Sequence, residues 1–232
     1  MEIKSRYKDG LRDGIPIALG YLSVSFAFGL SAAKGGLPVW MAVVISMTNL
    51  TSAGQVAGLS LILSSAALVE MAATQLIINL RYALMSLSIS QKLHQSVTRA
   101  ERYIIAFFTT DEIFAVATSG GEVTTKYMLG LGTLPYFGWA LGTLLGAAAG
   151  SLLPEAVISA LGIAIYGMFI AIVVPVAKKS RAVLAVVAAS VGLSVLIHYA
   201  LPFISAGFSI IICAVAASLF GALAFPIKEE AV

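Results

Sequence analysis

Three apolar stretches of this chain are interrupted by groups that can bind a solute or carry charge. Asn49-Leu50-Thr51-Ser52-Ala53-Gly54-Gln55 breaks the first, Asn79-Leu80-Arg81-Tyr82 the second, and Thr109-Thr110-Asp111-Glu112 the third. An ionised side chain at bilayer depth costs roughly 3 kcal/mol or more, so such groups face a cavity, a partner or one another. Arg81 suits a carboxylate, and Asn79, Tyr82 and Ser86 follow at helical spacing with further hydrogen-bonding groups. A permanent ion pair of Arg81 with Asp111 or Glu112, holding two helices in register, is the alternative. Both hold if the pair opens during a cycle. Asp111 and Glu112 point about 100° apart on a helix, so they can do different work. One can meet Arg81 while the other binds an ammonium or carries a proton. Gln55 and Asn49 each donate and accept, which suits an amino-acid head group and equally the freed backbone of a broken helix. The expected solute-binding set is therefore Asn49, Thr51, Ser52, Gly54, Gln55, Asn79, Arg81 and Tyr82, with Asp111 and Glu112 as proton-coupling or ion-pair groups.

The elements that must position these groups are membrane helices. Of 232 residues 59% are hydrophobic and 11% charged, against about one quarter charged in soluble domains. About 20 apolar residues cross the hydrocarbon, and eight candidate spans follow: 14–33, 39–64, 68–90, 103–118, 127–150, 156–176, 182–200 and 203–225. The expectation is an all-α, polytopic bundle forming a single transport domain over 1–232. Segment 39–64 is overlong and polar at its centre, which favours an unwound break there; 103–118 is short with four polar residues in its middle. Broken helices at the midplane expose backbone groups that transporters use for binding. Gly138, Gly142, Gly146 and Gly150 recur every four residues, a stripe that lets another helix approach closely. Its partner helix is not specified by the sequence.

Charge supports a membrane reading over a nucleic-acid one. With eight crossings and a cytoplasmic N-terminus, Lys4, Arg6, Lys8, Arg12, Lys126, Lys178, Lys179, Arg181 and Lys228 fall inside, as basic residues at helix ends do. The basic loop 91–102 then falls outside. Making 39–68 a re-entrant pair of half-helices brings that loop inside instead, but pushes Lys178, Lys179 and Arg181 outside unless a second segment also fails to cross. The single cysteine, Cys213, excludes an internal disulfide, and no metal-ligand cluster or cofactor motif is expected. Run 15–33 exceeds the usual ~7–15-residue core of a signal peptide, so a retained first span is expected. Glu70 reads as a residue near a membrane surface between two spans, and His198 as an interface residue at a span's end. A channel or accessory subunit for another small polar solute is the first rival function. An intramembrane enzyme is the second, and it is not expected, because no Ser-His spacing points to catalysis.

The runs Ile78-Asn79-Leu80-Arg81-Tyr82-Ala83-Leu84-Met85 and Thr110-Asp111-Glu112-Ile113-Phe114-Ala115 resemble hallmark segments of the AzlC family, the large subunits of bacterial branched-chain amino-acid exporters. The start Asp13-Gly14-Ile15-Pro16-Ile17-Ala18-Leu19-Gly20-Tyr21 is similar to that family's first span. The resemblance covers Asp13 to about Thr118, and the second half matches only in length and hydropathy. It implies export of valine, leucine or isoleucine across the bacterial cytoplasmic membrane, driven by an ion gradient, beside a small hydrophobic AzlD-type partner.

Overall fold

The computed structural model describes residues 4–150, 153–154, 156, 167, 170 and 173–226. Nine helices are named among them: α1 (Tyr7–Lys34), α2 (Val39–Thr48), α3 (Ser52–Leu63), α4 (Leu68–Ser90), α5 (Arg99–Phe108), α6 (Asp111–Thr118), α7 (Thr125–Ala149), α8 (Arg181–Ala200) and α9 (Ala206–Ala224). The expected all-α architecture is what forms. Helices α1, α7, α8 and α9 are each long and apolar enough to cross a membrane. The expected span 156–176 lies largely outside the described residues. The chain divides into two compact units, Met1–Val56 with Asn79–Ile165, and Ala57–Ile78 with Tyr166–Val232.

The first unit is organised by α1 and α7, which run parallel at backbone contact. Gly130 meets the Tyr7 carbonyl, Gly138 meets Ala18, Gly142 meets Leu22 and Ser25, Gly146 meets the Phe26 carbonyl and Gly150 meets Ala33. Residue numbers rise together on both helices, which fixes the parallel sense. The glycine stripe therefore packs on the first helix of the same chain, and Gly10, Gly14 and Gly29 on α1 return the same close approach. α1 stops where Gly35-Gly36-Leu37-Pro38 ends it. Gly36 takes φ +84°, and Leu37 and Gly36 donate back to Ala32 and Ala33 at 3.0 and 2.9 Å. That 6→1 and 5→2 pairing is the Schellman stop that a left-handed glycine permits.

One end of this unit gathers three separated segments. Val123 N–H donates to Lys92 O at 2.9 Å and its carbonyl accepts from His94 at 3.0 Å, while Lys4 N–H donates to Glu122 O and Thr124 N–H to Lys4 O. The N-terminus, the loop after α4 and the loop before α7 therefore share one face. Two consequences follow. Segment 103–118 leaves that face and returns to it, so α5–α6 turns back rather than crossing as the sequence led us to expect. α5 and α6 hold 10 and 8 residues, too few for either to span ~30 Å alone. Segment 39–64 breaks likewise, into α2 and α3 of 10 and 12 residues, each too short to span ~30 Å alone. The basic loop 91–102 thus lies beside Lys4, and the charge conflict of an eight-crossing chain disappears. α5 also begins earlier than expected, at Arg99, because Thr98 and Glu101 form a reciprocal capping box. The Thr98 backbone N–H, bonded to Glu101 at 2.7 Å, holds that carboxyl below its ordinary range, and the Thr98 hydroxyl adds to the effect.

In the second unit α8 and α9 pack together, joined by a short loop, and the first turns of α4 reach that loop through Glu70.

Candidate solute site at two helix breaks

Both irregular segments break at their polar residues. Between α2 and α3 the backbone opens at Asn49 (φ −130°, ψ 85°). Thr51 N–H donates to Asn49 O at 2.9 Å and Thr51 Oγ1 donates to Asn49 Oδ1 at 3.1 Å. Just before the break Thr48 Oγ1 donates to Val44 O at 2.7 Å, and short side chains that bond nearby backbone compete with helical pairing, which favours unwinding here. Between α5 and α6 the same chemistry recurs. Thr109 Oγ1 donates to Ile105 O at 2.8 Å, and Thr110 is extended (φ −110°, ψ 175°) before α6 begins at Asp111.

The two breaks meet. α2 enters from the end where α1 stops, α5 from the end where α1 starts, and a cavity of about 170 Å³ lies where they converge. Thr48, Asn49 and Thr51 line it from one break, Phe107 and Thr109 from the other, and Tyr82 from α4. Its volume is below the ~300 Å³ at which drug-sized pockets begin, so it suits a small metabolite. Amide, hydroxyl and phenol groups face an aromatic and aliphatic wall. A second cavity of about 180 Å³ shares Ala106 and Thr109 with the first and continues to Ser90 and Arg102, at the face that holds Lys4. A larger cavity of about 630 Å³ belongs to the other unit and includes His198. It sits at a loop between two complete helices, so volume alone does not make it the better candidate.

The charged groups divide as their 100° separation suggests. Arg81 Nη2 pairs with Asp111 Oδ2 at 2.9 Å, and both side chains are nearly half exposed, 46% and 44%. Arg81 also lies against the Tyr82 ring, 5.2 Å from its centroid, and its guanidinium reaches the Tyr82 hydroxyl at 3.4 Å. The cavity is therefore one residue away from the ion pair. Glu112 turns to α1, where the Tyr21 hydroxyl stands 2.5 Å from its Oε2 and 2.6 Å from Thr110 Oγ1. A phenol has one proton, so Tyr21 donates to the carboxylate and Thr110 donates to Tyr21.

Tyr21 opens a buried network that the sequence did not reveal. Its ring stands edge-on to Trp139, centroids 5.0 Å apart. Trp139 Nε1 donates to Gln55 Oε1 at 2.7 Å and Gln55 Nε2 donates to Ser46 Oγ at 2.8 Å. Ser46 and Thr143 share a hydroxyl pair at 2.7 Å. Gln55 is thus committed on both amide atoms and stands apart from the cavity lining. Ser52 opens α3, Gly54 is buried beside it, and Asn79 precedes Arg81 by two residues on α4 without lining the cavity. Asn49, Thr51 and Tyr82 are the expected binding residues that the cavity brings together. Phe107 and Ala106 were not singled out, and a single apolar residue in an apolar helix carries no signal that could have found them. Among the described residues no three His, Cys, Asp or Glu sit close enough to hold a metal ion.

Comparison with known proteins decides the family. The model of the family described as AzlC protein matches residues 16–153. The chain belongs to the AzlC family. The match runs past Thr118, through α7 and its glycine stripe, further than the sequence resemblance alone reached. This AzlC chain is 33% identical over 190 residues to an uncharacterized membrane protein of Archaeoglobus fulgidus, covering 81% of this chain and 84% of that one. It is 28% identical over 194 residues to the inner membrane protein YgaZ of Escherichia coli, covering 80% and 79%. A Helicobacter pylori membrane protein is 28% identical over 149 residues, covering 62% and 64%. No solved structure matches. The AzlC chain is thus a membrane protein of transporter type.

Proposed function

We propose that this AzlC chain is the large subunit of a secondary exporter of branched-chain amino acids in the bacterial cytoplasmic membrane, and not an enzyme. The observation that carries the reading is the small cavity at two converging helix breaks, with an Arg–Asp pair one residue from its wall. Freed backbone groups and amides suit a zwitterionic head group, as in other carriers built from broken helices. Phe107 and Leu50 offer an apolar wall. Arg81, once released by Asp111, takes the carboxylate; Asp111, so freed, takes the ammonium or a proton.

Orientation follows from charge. Lys4, Arg6, Lys8, Arg12, Lys92, Arg99, Arg102 and Lys126 lie at or next to the face where the N-terminus and two loops are bonded together. The positive-inside rule makes that face cytoplasmic. The second cavity then joins the binding site to the cytoplasm, the side from which an exporter loads. Half-exposed charges at membrane depth call for cover, and a small AzlD-type subunit is the partner that supplies it.

The test is efflux of radiolabelled valine, leucine and methionine from preloaded cells that lack their own exporters, with and without the small partner. Faster efflux of the branched-chain substrates that needs the partner is the expected result. Conductance without saturable counterflow would instead assign a channel.

A further inference from the structure

The second cavity of the first unit has a chemistry of its own. It lies between one face of α4, carrying Ser86, Ile89 and Ser90, and one face of α5, carrying Arg102, Ile105 and Ala106. These residues recur three and four positions apart, so each set shares a helix face. Ile89 and Ile105 are each only 2% exposed and belong to the buried core of this unit, which gives the cavity an aliphatic floor. Tyr82 stands four residues before Ser86 and lines the first cavity, and Thr109 lines both. Tyr82 and Ser90 are about 12 Å apart along α4.

Arg102 is the charged side chain among the described residues of these walls. Its guanidinium has no hydrogen-bond or ion-pair partner among the described residues. The neighbouring Glu101 is turned back to Thr98. A basic residue at a helix end needs only the positive-inside rule to explain it. An unpaired guanidinium above an aliphatic floor has a further capacity. It can take a carboxylate through two parallel hydrogen bonds, while the hydrocarbon part of the same molecule displaces water from the apolar wall. No acidic side chain is among the described residues that line this cavity, so an ammonium group finds no charge partner in it. The first cavity differs, because the Arg81–Asp111 pair stands beside it.

We propose that the cavity between α4 and α5 is a loading site for branched aliphatic carboxylates, which Arg102 selects by their carboxylate group. The assignment rests on the transport reading for its place in the cycle, and not for the binding itself. A solute held here keeps its ammonium in water and is held more weakly than in the first cavity, as suits a site that is passed through. The face of Ser90, Ser86 and Tyr82 then leads it about two turns along α4, from Arg102 toward Arg81. Leucine fits this site, and so does isocaproate, which is leucine without its amino group. Isoamylamine, which is leucine without its carboxylate, does not.

The experiment uses the purified chain with Cys213→Ala, which removes its single thiol, and Ser86→Cys, which places one in the cavity. The rate of thiol modification is measured with a sulfonate-bearing and a trimethylammonium-bearing methanethiosulfonate, with and without each ligand. Leucine and isocaproate are expected to slow modification, and isoamylamine to leave it unchanged. Arg102→Gln should abolish protection by isocaproate and lower the sulfonate-to-ammonium rate ratio about ten-fold, as loss of a nearby unit charge does. Arg102→Lys should keep the ratio near its original value. Arg102 is exposed, so Arg102→Gln should leave the melting temperature unchanged. Ser90→Cys, on the same wall, repeats the measurement if the first thiol disturbs folding. In preloaded cells Arg102→Gln should raise the internal concentration for half-maximal efflux about ten-fold, the loss of one charge-assisted contact, with the maximal rate within about two-fold. Protection by isocaproate without any efflux would keep the site and remove the transport reading. Efflux without protection, protection equal for isoamylamine, or protection and rate ratio indifferent to Arg102→Gln would overturn the site.

Discussion

Exchanging the charges of Arg81 and Asp111 is expected to restore the fold but not transport. Arg81→Asp alone places two carboxylates together where a 2.9 Å ion pair stood, and the like charges push the segments apart. The double variant Arg81→Asp with Asp111→Arg re-forms the pair, so thermal stability should return toward that of the wild type. If the pair were only a clasp, efflux would return with it. In the present account Arg81 leaves Asp111 to hold the substrate carboxylate beside Tyr82, and an arginine on α6 presents that charge from the wrong side. A hydrogen bond to a charged group contributes about 1.5–3 kcal/mol, so efflux should remain about 10–100-fold below wild type. Melting of the purified variants and efflux from preloaded cells are the two readouts, and they must diverge. The pair is nearly half exposed, so its own contribution to stability is discounted toward the ~0–1 kcal/mol of surface pairs.

Gly146→Ala is expected to destabilise the chain more than any other single methyl addition along α7. The added carbon would overlap the Phe26 carbonyl oxygen and also approach Phe26 Cα at 2.9 Å. Those are backbone atoms, which cannot rotate away, so α1 and α7 must separate. Overpacking of this kind costs about 1–3 kcal/mol, and separation here would also disturb Tyr21 and Trp139, which meet across the same pair of helices. Gly20→Ala is the matched control, because nothing lies within 4 Å of a methyl group at that position. It should be neutral or slightly stabilising, as replacement of a mid-helix glycine is. Equal melting temperatures for the two variants would mean that the close approach of α1 and α7 is not what holds this unit.

The sequence was most legible where one residue type has one physical use. The four-residue glycine period meant close helix contact, and the contact is there. The polar centres of 39–64 and 103–118 conflicted with an unbroken helix, and both segments break at those centres. Which way the second segment turned was hidden, because 16 residues can be read as a short crossing or as two half-helices. The decision came from backbone pairing of Val123 with Lys92, His94 and Lys4, a long-range contact without a residue signature. The capping box Thr98-Arg99-Ala100-Glu101 was visible and would have moved the start of α5 into the loop. Gln55 shows the opposite limit. Its amide suits a ligand as well as it suits Trp139 and Ser46, and only the fold distinguishes them. Glu70 was read as lying near a membrane surface between two spans; it stands in the first turn of α4, and its bonds to Ser205 and Gly207 are long-range contacts that the sequence does not signal.

The central claim is that the cavity between the two helix breaks holds the amino acid. The most direct test is equilibrium binding of radiolabelled leucine to the purified chain, wild type against Ala106→Phe, whose ring would occupy the space that Ala106 and Thr109 border. The account predicts saturable leucine binding in the wild type, competed by valine and not by isoamylamine, and lost in Ala106→Phe while the melting temperature stays near wild type. Leucine binding that survives the filled cavity in a folded variant would contradict it.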